Sequence, residues 1–242
     1  MSLLLGARIG TWSYGGSKPY DYEVEWIQGR PGSYIFVDAG FETLGKVTKN
    51  IVTADHPATL EAKIERTTDG ENSTSAWCGF SNPLRFMAPA ATTAANRLGL
   101  VQALGKSYNL SLDSYSMDTP ILFKVALYDN SANGTDAVFY SNGEEVASYS
   151  GLGSTAMWGP NMLVFGYGSA STSSTTGWGS ISSSAGNIKL YYIKSTVNGV
   201  SVDLIPVVKG GKAYLYDRIS GGMWGKYSAC TGDDFPFGPE VG

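Results

Sequence analysis

The chain has 242 residues, and its 17 Lys and Arg against 21 Asp and Glu give a formal net charge of −4. No cluster of basic residues offsets this acidity, so we expect neither nucleic acid nor an anionic membrane surface as a partner. Only 16% of the residues are charged, 12% are aromatic and 31 are glycines, which is typical of a loop-rich β-sandwich with aromatic and hydroxyl groups at its surface.

The first residues predict neither a membrane span nor a signal peptide. Leu3-Leu4-Leu5 is much shorter than the roughly 18 apolar residues that cross a bilayer, and no basic segment precedes it. We predict a lead-in strand or linker over residues 1–20 and a single β-sandwich domain over residues 21–242, because sandwiches of this size are commonly one domain. Such a domain can bury roughly 70–75% of its unfolded surface and so needs no metal or disulfide for stability.

Several short strands are predicted in the first half, each bounded by Gly, Pro or Asn. They cover residues 23–28, 33–38, 60–66, 75–80 and 107–112. Residues 90–104 are the best helix candidate, although Thr92, Thr93 and Gly99 weaken it. The clearest strand is 121–128, where Phe123, Val125 and Leu127 alternate with polar or small residues, which predicts one buried face.

The second half contains three tight hairpin signals. Asn142-Gly143 and Asn198-Gly199 each separate two alternating apolar segments, and Gly210-Gly211 does so less strongly. Asn and Gly tolerate the positive φ that type I′ turns require, and the twist of that turn matches the strands it joins. Between two of these hairpins, residues 168–187 are mostly Gly, Ser and Thr, and we predict a long surface loop carrying Trp178.

Both ends of the chain resemble a known group of modules. The opening residues 22–27 (YEVEWI) and 32–40 (GSYIFVDAG), and the closing residues 188–193 (IKLYYI), 202–207 (VDLIPV), 215–221 (LYDRISG) and 231–235 (TGDDF), are similar to the two ends of lectin-like modules in the concanavalin-A-like, laminin-G-like superfamily. The likeness spans about residues 21–237. It implies an all-β fold, a two-sheet antiparallel jelly-roll sandwich, of the kind found in gut-bacterial surface proteins and phage structural proteins.

The resemblance implies a carbohydrate-binding module at a cell surface, outside the cell or on a virion, with carbohydrate or another surface protein as partner. A structural or protein-interaction domain is the alternative, and a laminarinase-like glycoside hydrolase is less favoured. Trp158, Tyr167 and Trp178 lie in or beside Gly-, Ser- and Thr-rich segments and are the predicted sugar contacts, because sugars need exposed aromatic planes beside polar groups. Packing over the sandwich edge is the other interpretation of these aromatics.

No metal or other cofactor is required, with calcium as the alternative. Asp129, Asn133 and Asp136 lie close together in sequence and supply the oxygen ligands that calcium prefers. Asp and Asn are also the commonest turn residues, and the turn interpretation is favoured.

Catalytic chemistry has little support. His56 is the only histidine, which leaves almost no material for a His-dependent triad. A glycosidase needs paired carboxylates, and the nearest string, Asp21 to Glu25, has the wrong acid order; we expect a solvated strand face there, with Val24 and Trp26 turned to the core. Cys78 and Cys230 are predicted to be buried thiols, with one disulfide between them as the alternative.

Overall fold

The computed structural model describes residues 17–38, 49–50, 58–67, 75–80, 85–88, 97–103, 106–111, 117–130, 134–150, 156–157, 162–170, 178–183, 188–197 and 199–242. All regular elements in these residues are strands. They are β1 (Tyr22–Glu23), β2 (Ile27–Gln28), β3 (Ile35–Val37), β4 (Lys49–Asn50), β5 (Ala58–Arg66), β6 (Ser75–Phe80), β7 (Arg85–Ala88), β8 (Arg97–Ala103), β9 (Lys106–Ser111), β10 (Ile121–Asn130), β11 (Gly134–Ser141), β12 (Glu144–Tyr149), β13 (Ala156–Met157), β14 (Met162–Val164), β15 (Gly166–Ala170), β16 (Trp178–Ser183), β17 (Ile188–Val197), β18 (Val200–Lys209), β19 (Lys212–Asp217) and β20 (Met223–Trp224).

Two antiparallel sheets contain most of the strands. A ten-stranded sheet has the order β12-β11-β10-β5-β17-β18-β19-β20, with β1 beside β18 and β2 beside β17. A six-stranded sheet has the order β3-β14-β6-β7-β8-β9, and the pairs β4–β13 and β15–β16 form two small sheets. The predicted fold class, an all-β antiparallel sandwich of two sheets, is confirmed. No helix in the described part of the chain has the length and apolarity needed to cross a membrane.

The core lies between the two main sheets. Ile35, Cys78 and Val164 of the six-stranded sheet belong to the same buried cluster as Leu60 and Phe123 of the ten-stranded sheet. Alternation along the strands directs alternate side chains into this cluster and the others away from it. The prediction for β10 is confirmed, since its three predicted inward residues are all at most 3% exposed.

The three predicted hairpins are present. Asn142 and Gly143 have φ values of 49° and 87°, as a type I′ turn requires. Gly210 and Gly211 join β18 to β19 with φ values of 56° and 73°. Gly199 has φ 76° between β17 and β18, and Asn198 lies outside the described residues. Asn and Gly adopt the positive φ values of these turns with little steric strain.

Two predicted elements were wrong. The helix candidate at 90–104 contains strand β8, which pairs with β7 on one side and β9 on the other; two neighbouring strands outweigh a weak helical preference. The predicted surface loop at 168–187 includes most of β15 and all of β16, which pair with each other. Gly, Ser and Thr composition hid this ladder, because backbone pairing does not depend on large side chains.

The predicted strand at 23–28 is divided in two. β1 pairs with β18, whereas β2 pairs with β17, so the chain crosses from one partner to the next between them. Val24 is buried as predicted, but Trp26 is only half-buried. Trp26 packs so close to Gly238 that any side chain at that glycine would collide with the indole.

Pro206 lies in β18, an interior strand, although proline is usually confined to sheet edges and bulges. On the side of β18 that Pro206 faces, the ladder with β17 ends at Leu204 and the ladder with β1 begins at Val207. The Pro206 carbonyl accepts a hydrogen bond from Val24 N at 3.2 Å. Proline has no backbone N–H to donate. Because Pro206 lies between the end of the β17 ladder and the start of the β1 ladder, no hydrogen bond of either ladder is lost.

Both cysteines are free thiols, so the disulfide alternative is wrong. Cys78 is fully buried, and burial raises the pKa of its thiol far above the ordinary value. Cys230 is half-buried instead of buried, and its Sγ accepts a hydrogen bond from Tyr34 N at 3.4 Å. The two thiols lie in different clusters of side chains, so they form no disulfide with each other.

Asp217 organises the turn after β19. Its carboxylate, 1% exposed, accepts backbone hydrogen bonds from Asp203 N (2.8 Å), Ile219 N (3.1 Å) and Ser220 N (3.1 Å), as well as one from the Ser220 hydroxyl at 2.6 Å. Gly221 completes the turn with φ 76°. Asp217 therefore serves as a turn residue whose carboxylate satisfies backbone donors.

We predict that Asp217→Ala lowers the free energy of unfolding by about 2–4 kcal/mol, because several buried donors lose a charged acceptor at once. Chemical denaturation measures the change. Asp203→Ala is the matched control: its carboxylate forms a surface pair with Arg218, so its loss should cost less than about 1 kcal/mol. Equal effects from the two variants would contradict the assigned role of Asp217.

Candidate functional site

A β-bulge in β17 places two neighbouring tyrosines on the same side of the ten-stranded sheet. Leu190 pairs with Ile64 and Tyr192 pairs with Lys63, which leaves Tyr191 as an extra residue without a partner on β5. The bulge resets the alternation, since Leu190 and Ile193 are both buried while the two tyrosines between them are half-exposed. Bulges of this type re-aim side chains and are common next to binding sites.

Each tyrosine hydroxyl is anchored to a glutamate of β5. Tyr191 Oη donates to Glu65, which also receives Lys189 Nζ at 2.8 Å. Tyr192 Oη donates to Glu61 Oε1 at 3.1 Å. These bonds fix the orientation of both rings on the side of the sheet turned away from the core, which we call the outer face.

Ammonium groups lie over the aromatic rings of the outer face. Lys63 Nζ is 4.7 Å from the ring centre of Tyr191, and Lys194 Nζ is 5.4 Å from that of Tyr192. These distances are within the range of cation–π attraction. Aromatic, cationic and anionic groups are thus interleaved on one surface.

Strand register arranges charged residues in a row across the outer face. Lys124 pairs with Glu61, Glu61 with Lys194, and Lys194 with Asp203, on β10, β5, β17 and β18. Arg218 closes the row with two guanidinium nitrogens on Asp203, at 2.8 to 3.1 Å. Cross-strand neighbours on one face lie roughly 5 Å apart, so the row is a continuous strip of alternating charge.

Two adjoining grooves lie along this face. The first has a volume of about 470 Å³, and its lining includes Tyr191, Tyr192, Lys63 and Lys194. The second, of about 290 Å³, is lined by Lys194 and by a set of polar residues. That set comprises Thr59, Glu61, Lys124, Ser195, Thr196, Ser201 and Asp203. Because Lys194 lines both, the grooves meet at its side chain, and together they have the volume of a small-molecule site.

Glu23 and Glu25, which belong to the acidic string noted in the sequence, also line the first groove. Glu23 accepts hydrogen bonds from Tyr20 Oη at 2.7 Å and Lys18 Nζ at 3.0 Å. The hydrogen bond from Tyr20 is the main cause that lowers the pKa of this carboxyl. Glu23 is therefore held in its ionised form.

None of the three aromatic residues predicted from sequence to contact sugar lies in the described part of the outer face. Tyr167 is in β15 and Trp178 begins β16, so both belong to the small β15–β16 sheet and not to the ten-stranded sheet. Trp158 lies outside the described residues. Their role in sugar binding stays a prediction.

The predicted calcium ligands are divided between two strands. Asp129 is near the end of β10 and Asp136 is in β11, while Asn133 lies outside the described residues. Asp129 pairs with Thr135 and Tyr128 pairs with Asp136. The described residues contain no group of three or more His, Cys, Asp or Glu side chains placed to hold a metal ion. Calcium binding here stays a prediction.

Tyr191 and Tyr192 were missed as site residues. From the sequence, residues 188–193 predicted only a strand before the Asn198-Gly199 turn and one part of the resemblance. A signal was available, because continuous alternation from Ile188 and Leu190 would place Tyr192 in the core and Ile193 in solvent. That conflict is what a bulge resolves.

Comparisons with known proteins show structural likeness at low sequence identity. No family model and no curated protein sequence matches the chain. A Bacteroides ovatus protein to which a carbohydrate-binding role has been ascribed aligns at 14% identity over 88% of this chain and 60% of its own, with a TM-score of 0.49. This chain therefore spans less than two thirds of that protein.

Two further solved structures are similar. A heptameric SAP-like pentraxin from Limulus polyphemus aligns at 13% identity over 90% of this chain and 94% of its own, with a TM-score of 0.40. Alginate lyase Aly36B aligns at 16% identity over 57% of this chain and 68% of its own, with a TM-score of 0.38. All these TM-scores are below 0.5, so we base no functional assignment on them.

The anchored tyrosines predict a pH dependence of stability. Burial, and then the charge of Glu61, raise the pKa of Tyr192 to about 12; burial and the bond to Glu65 raise that of Tyr191 further. An unfolded tyrosine has a pKa of about 10. The folded protein therefore holds these protons more tightly, and this contribution to stability is full below pH ~10 and is lost as the pH rises towards the folded values.

We expect the free energy of unfolding to fall between pH ~10 and ~12 less steeply in Tyr192→Phe than in the wild type. Denaturant unfolding at several alkaline pH values measures the slopes. Glu61→Gln should lower the pKa of Tyr192, which tyrosinate absorbance can follow. Identical slopes for the wild type and Tyr192→Phe would contradict the coupling between Tyr192 and Glu61.

Proposed function

We propose that the protein is a carbohydrate-binding module whose ligand lies in the groove at Tyr191 and Tyr192. The observation that carries this proposal is the bulge, which sets two anchored tyrosines side by side on an open face among carboxylate, ammonium and hydroxyl groups. Sugars present apolar C–H faces and many hydroxyls, so this mixture of aromatic and polar groups suits them.

A purely structural role explains this surface less well. A bulge interrupts the ladder of an interior strand and leaves one residue unpaired, and a solvated strand face would need neither two half-exposed tyrosines nor glutamates to hold them. A protein-interaction or spacer domain remains the alternative function, and it predicts that no saccharide binds this face. The resemblance seen in the sequence supports the carbohydrate partner and a place outside the cell, at a cell surface or on a virion.

Glycoside hydrolysis is less favoured by the groove. A glycosidase needs one carboxylic acid with a raised pKa to protonate the leaving oxygen. Glu23 in the groove is instead held ionised by Tyr20 and Lys18. We therefore place Glu23 among ligand-contacting groups and not among acid catalysts.

The β15–β16 region is the rival binding surface. Tyr167 and Trp178 lie there, and they would contact sugar if the aromatic prediction from sequence holds. Variants of the two regions separate the two surfaces in one binding assay.

We predict that Tyr191→Ala and Tyr192→Ala each weaken binding of glycans selected on an array by about 1–3 kcal/mol, the range for interface aromatics. Isothermal titration calorimetry measures the affinities, and melting temperatures verify folding. Tyr128→Ala is the matched control, because Tyr128 is an exposed tyrosine of the same sheet that lines neither groove. The Tyr128→Ala variant should bind the same glycans with wild-type affinity.

Two results would overturn the proposal. If Trp178→Ala abolished binding while both tyrosine variants bound normally, the ligand would belong to the β15–β16 region. If no glycan on a broad array bound the folded protein, the structural or protein-interaction function would replace it.

A further inference from the structure

Several carboxylates of the outer face have a partner within the protein, whereas three of its lysines have no ion-pair partner in the described part of the chain. Asp203 is bound by Arg218, and Glu65 by Lys189 and Tyr191. In contrast, the ammonium groups of Lys63, Lys124 and Lys194 have no carboxylate within 4.0 Å among the described residues. Three strong donors thus remain available to a ligand.

These three lysines are held in place by aromatic rings. Lys63 lies over Tyr191, Lys194 over Tyr192, and Lys124 over Tyr140 at 5.8 Å. A neutral sugar that stacked on the occupied face of Tyr191 or Tyr192 would have to displace an ammonium group. An anionic sugar would instead meet that group directly and gain a charge-assisted hydrogen bond.

The lysines are spread over the face instead of gathered at one point. They occupy β5, β10 and β17, and strand spacing with the rise along each strand separates neighbouring members by roughly 8–10 Å between Cα atoms. Lys194 lies where the two grooves meet, and Lys63 and Lys124 line one groove each. This distribution suits a chain with several anionic groups better than a single phosphate or carboxylate.

The overall charge of −4 does not prevent this binding. Charges beyond the Debye length of about 8 Å at physiological salt are largely screened. Two carboxylates of the face, Glu25 and Glu61, also lack a cationic partner within 4.0 Å among the described residues. The charged residues that line the two grooves are neutral in sum, four basic against four acidic. The attraction for an anionic polymer therefore comes from the three spaced lysines that lack an ion pair within the described ranges and not from net charge.

We propose that the ligand of the outer face is an acidic polysaccharide, carrying carboxylate or sulfate groups, that runs through both grooves past Lys194 and is bound by Lys63, Lys124 and Lys194. This inference rests on the proposed function. The aromatic groove holds the sugar rings, Thr59, Thr196 and Ser201 of the second groove bind hydroxyls, and the lysines select for negative charge. Neutral glycans of the same length bind more weakly.

The test compares three probes: hexagalacturonate, a sulfated oligosaccharide of similar length and neutral cellohexaose. We expect the acidic probes to bind more tightly than cellohexaose, and their binding to weaken between about 50 and about 300 mM NaCl because screening acts on charge pairs. Preference for hexagalacturonate or for the sulfated probe identifies the anionic group. Calorimetry gives each affinity.

Variants locate the charge contacts. Lys194→Gln should weaken acidic binding roughly tenfold or more, the loss expected for a hydrogen bond between charged groups, whereas cellohexaose affinity should change less than about twofold. Lys194→Arg should retain acidic binding. Lys209→Gln is the matched control: it removes the same charge from an exposed lysine outside both grooves and should leave binding unchanged.

The outcomes separate this inference from the proposed function. If cellohexaose bound as tightly as the acidic probes, and Tyr192→Ala but not Lys194→Gln weakened binding, the acidic-ligand inference would fall and the carbohydrate site would stand. If Lys194→Gln and Lys209→Gln weakened acidic binding equally, the selection would be a general charge effect and the inference would also fall. If no saccharide bound, both proposals would be overturned.

Discussion

The outer face depends on one irregularity, the extra residue in β17. Without it, strict alternation from Ile188 would turn Tyr192 and Lys194 into the core and Ile193 into solvent. With it, Ile188 and Leu190 are buried before the bulge, and Ile193, Ser195 and Val197 are buried after it. A local change of one residue thus keeps the core apolar and exposes two adjacent tyrosines.

The position of the bulge within the sheet matters as much as its presence. β17 lies between β5 and β18, so its outward residue Lys194 has a partner on each side. Glu61 and Asp203 flank Lys194 in register, while Glu65 receives both Tyr191 and Lys189. Hydrogen bonds to Glu65 and Glu61 thus hold both tyrosines in place, and such preorganisation reduces the entropy lost when a ligand binds.

Local rules were sufficient for much of the fold. The Asn142-Gly143 turn and the alternation of β10 follow from backbone preferences and from one buried sheet face, and both could be predicted from sequence. The errors came where partners distant in sequence decide the structure. β8 is a strand because β7 and β9 flank it, and β15 pairs with β16 although neither segment has the usual composition of a strand.

The candidate site was harder to predict for the same reason. The residues of its charged row come from four strands and the turn after β19. Only the register between those strands brings Lys124, Glu61, Lys194, Asp203 and Arg218 together. Composition drew attention instead to Trp158, Tyr167 and Trp178, because Gly- and Ser-rich neighbours are typical of exposed loops. A pair of tyrosines that breaks an alternating pattern was the available clue.

The most direct test of the account is a map of backbone amide chemical shifts during titration with hexagalacturonate. We expect the largest changes in β5, β10 and β17, around Lys63, Lys124, Tyr192 and Lys194. Changes confined to β15 and β16, or to the six-stranded sheet, would contradict the assignment of the outer face as the binding surface.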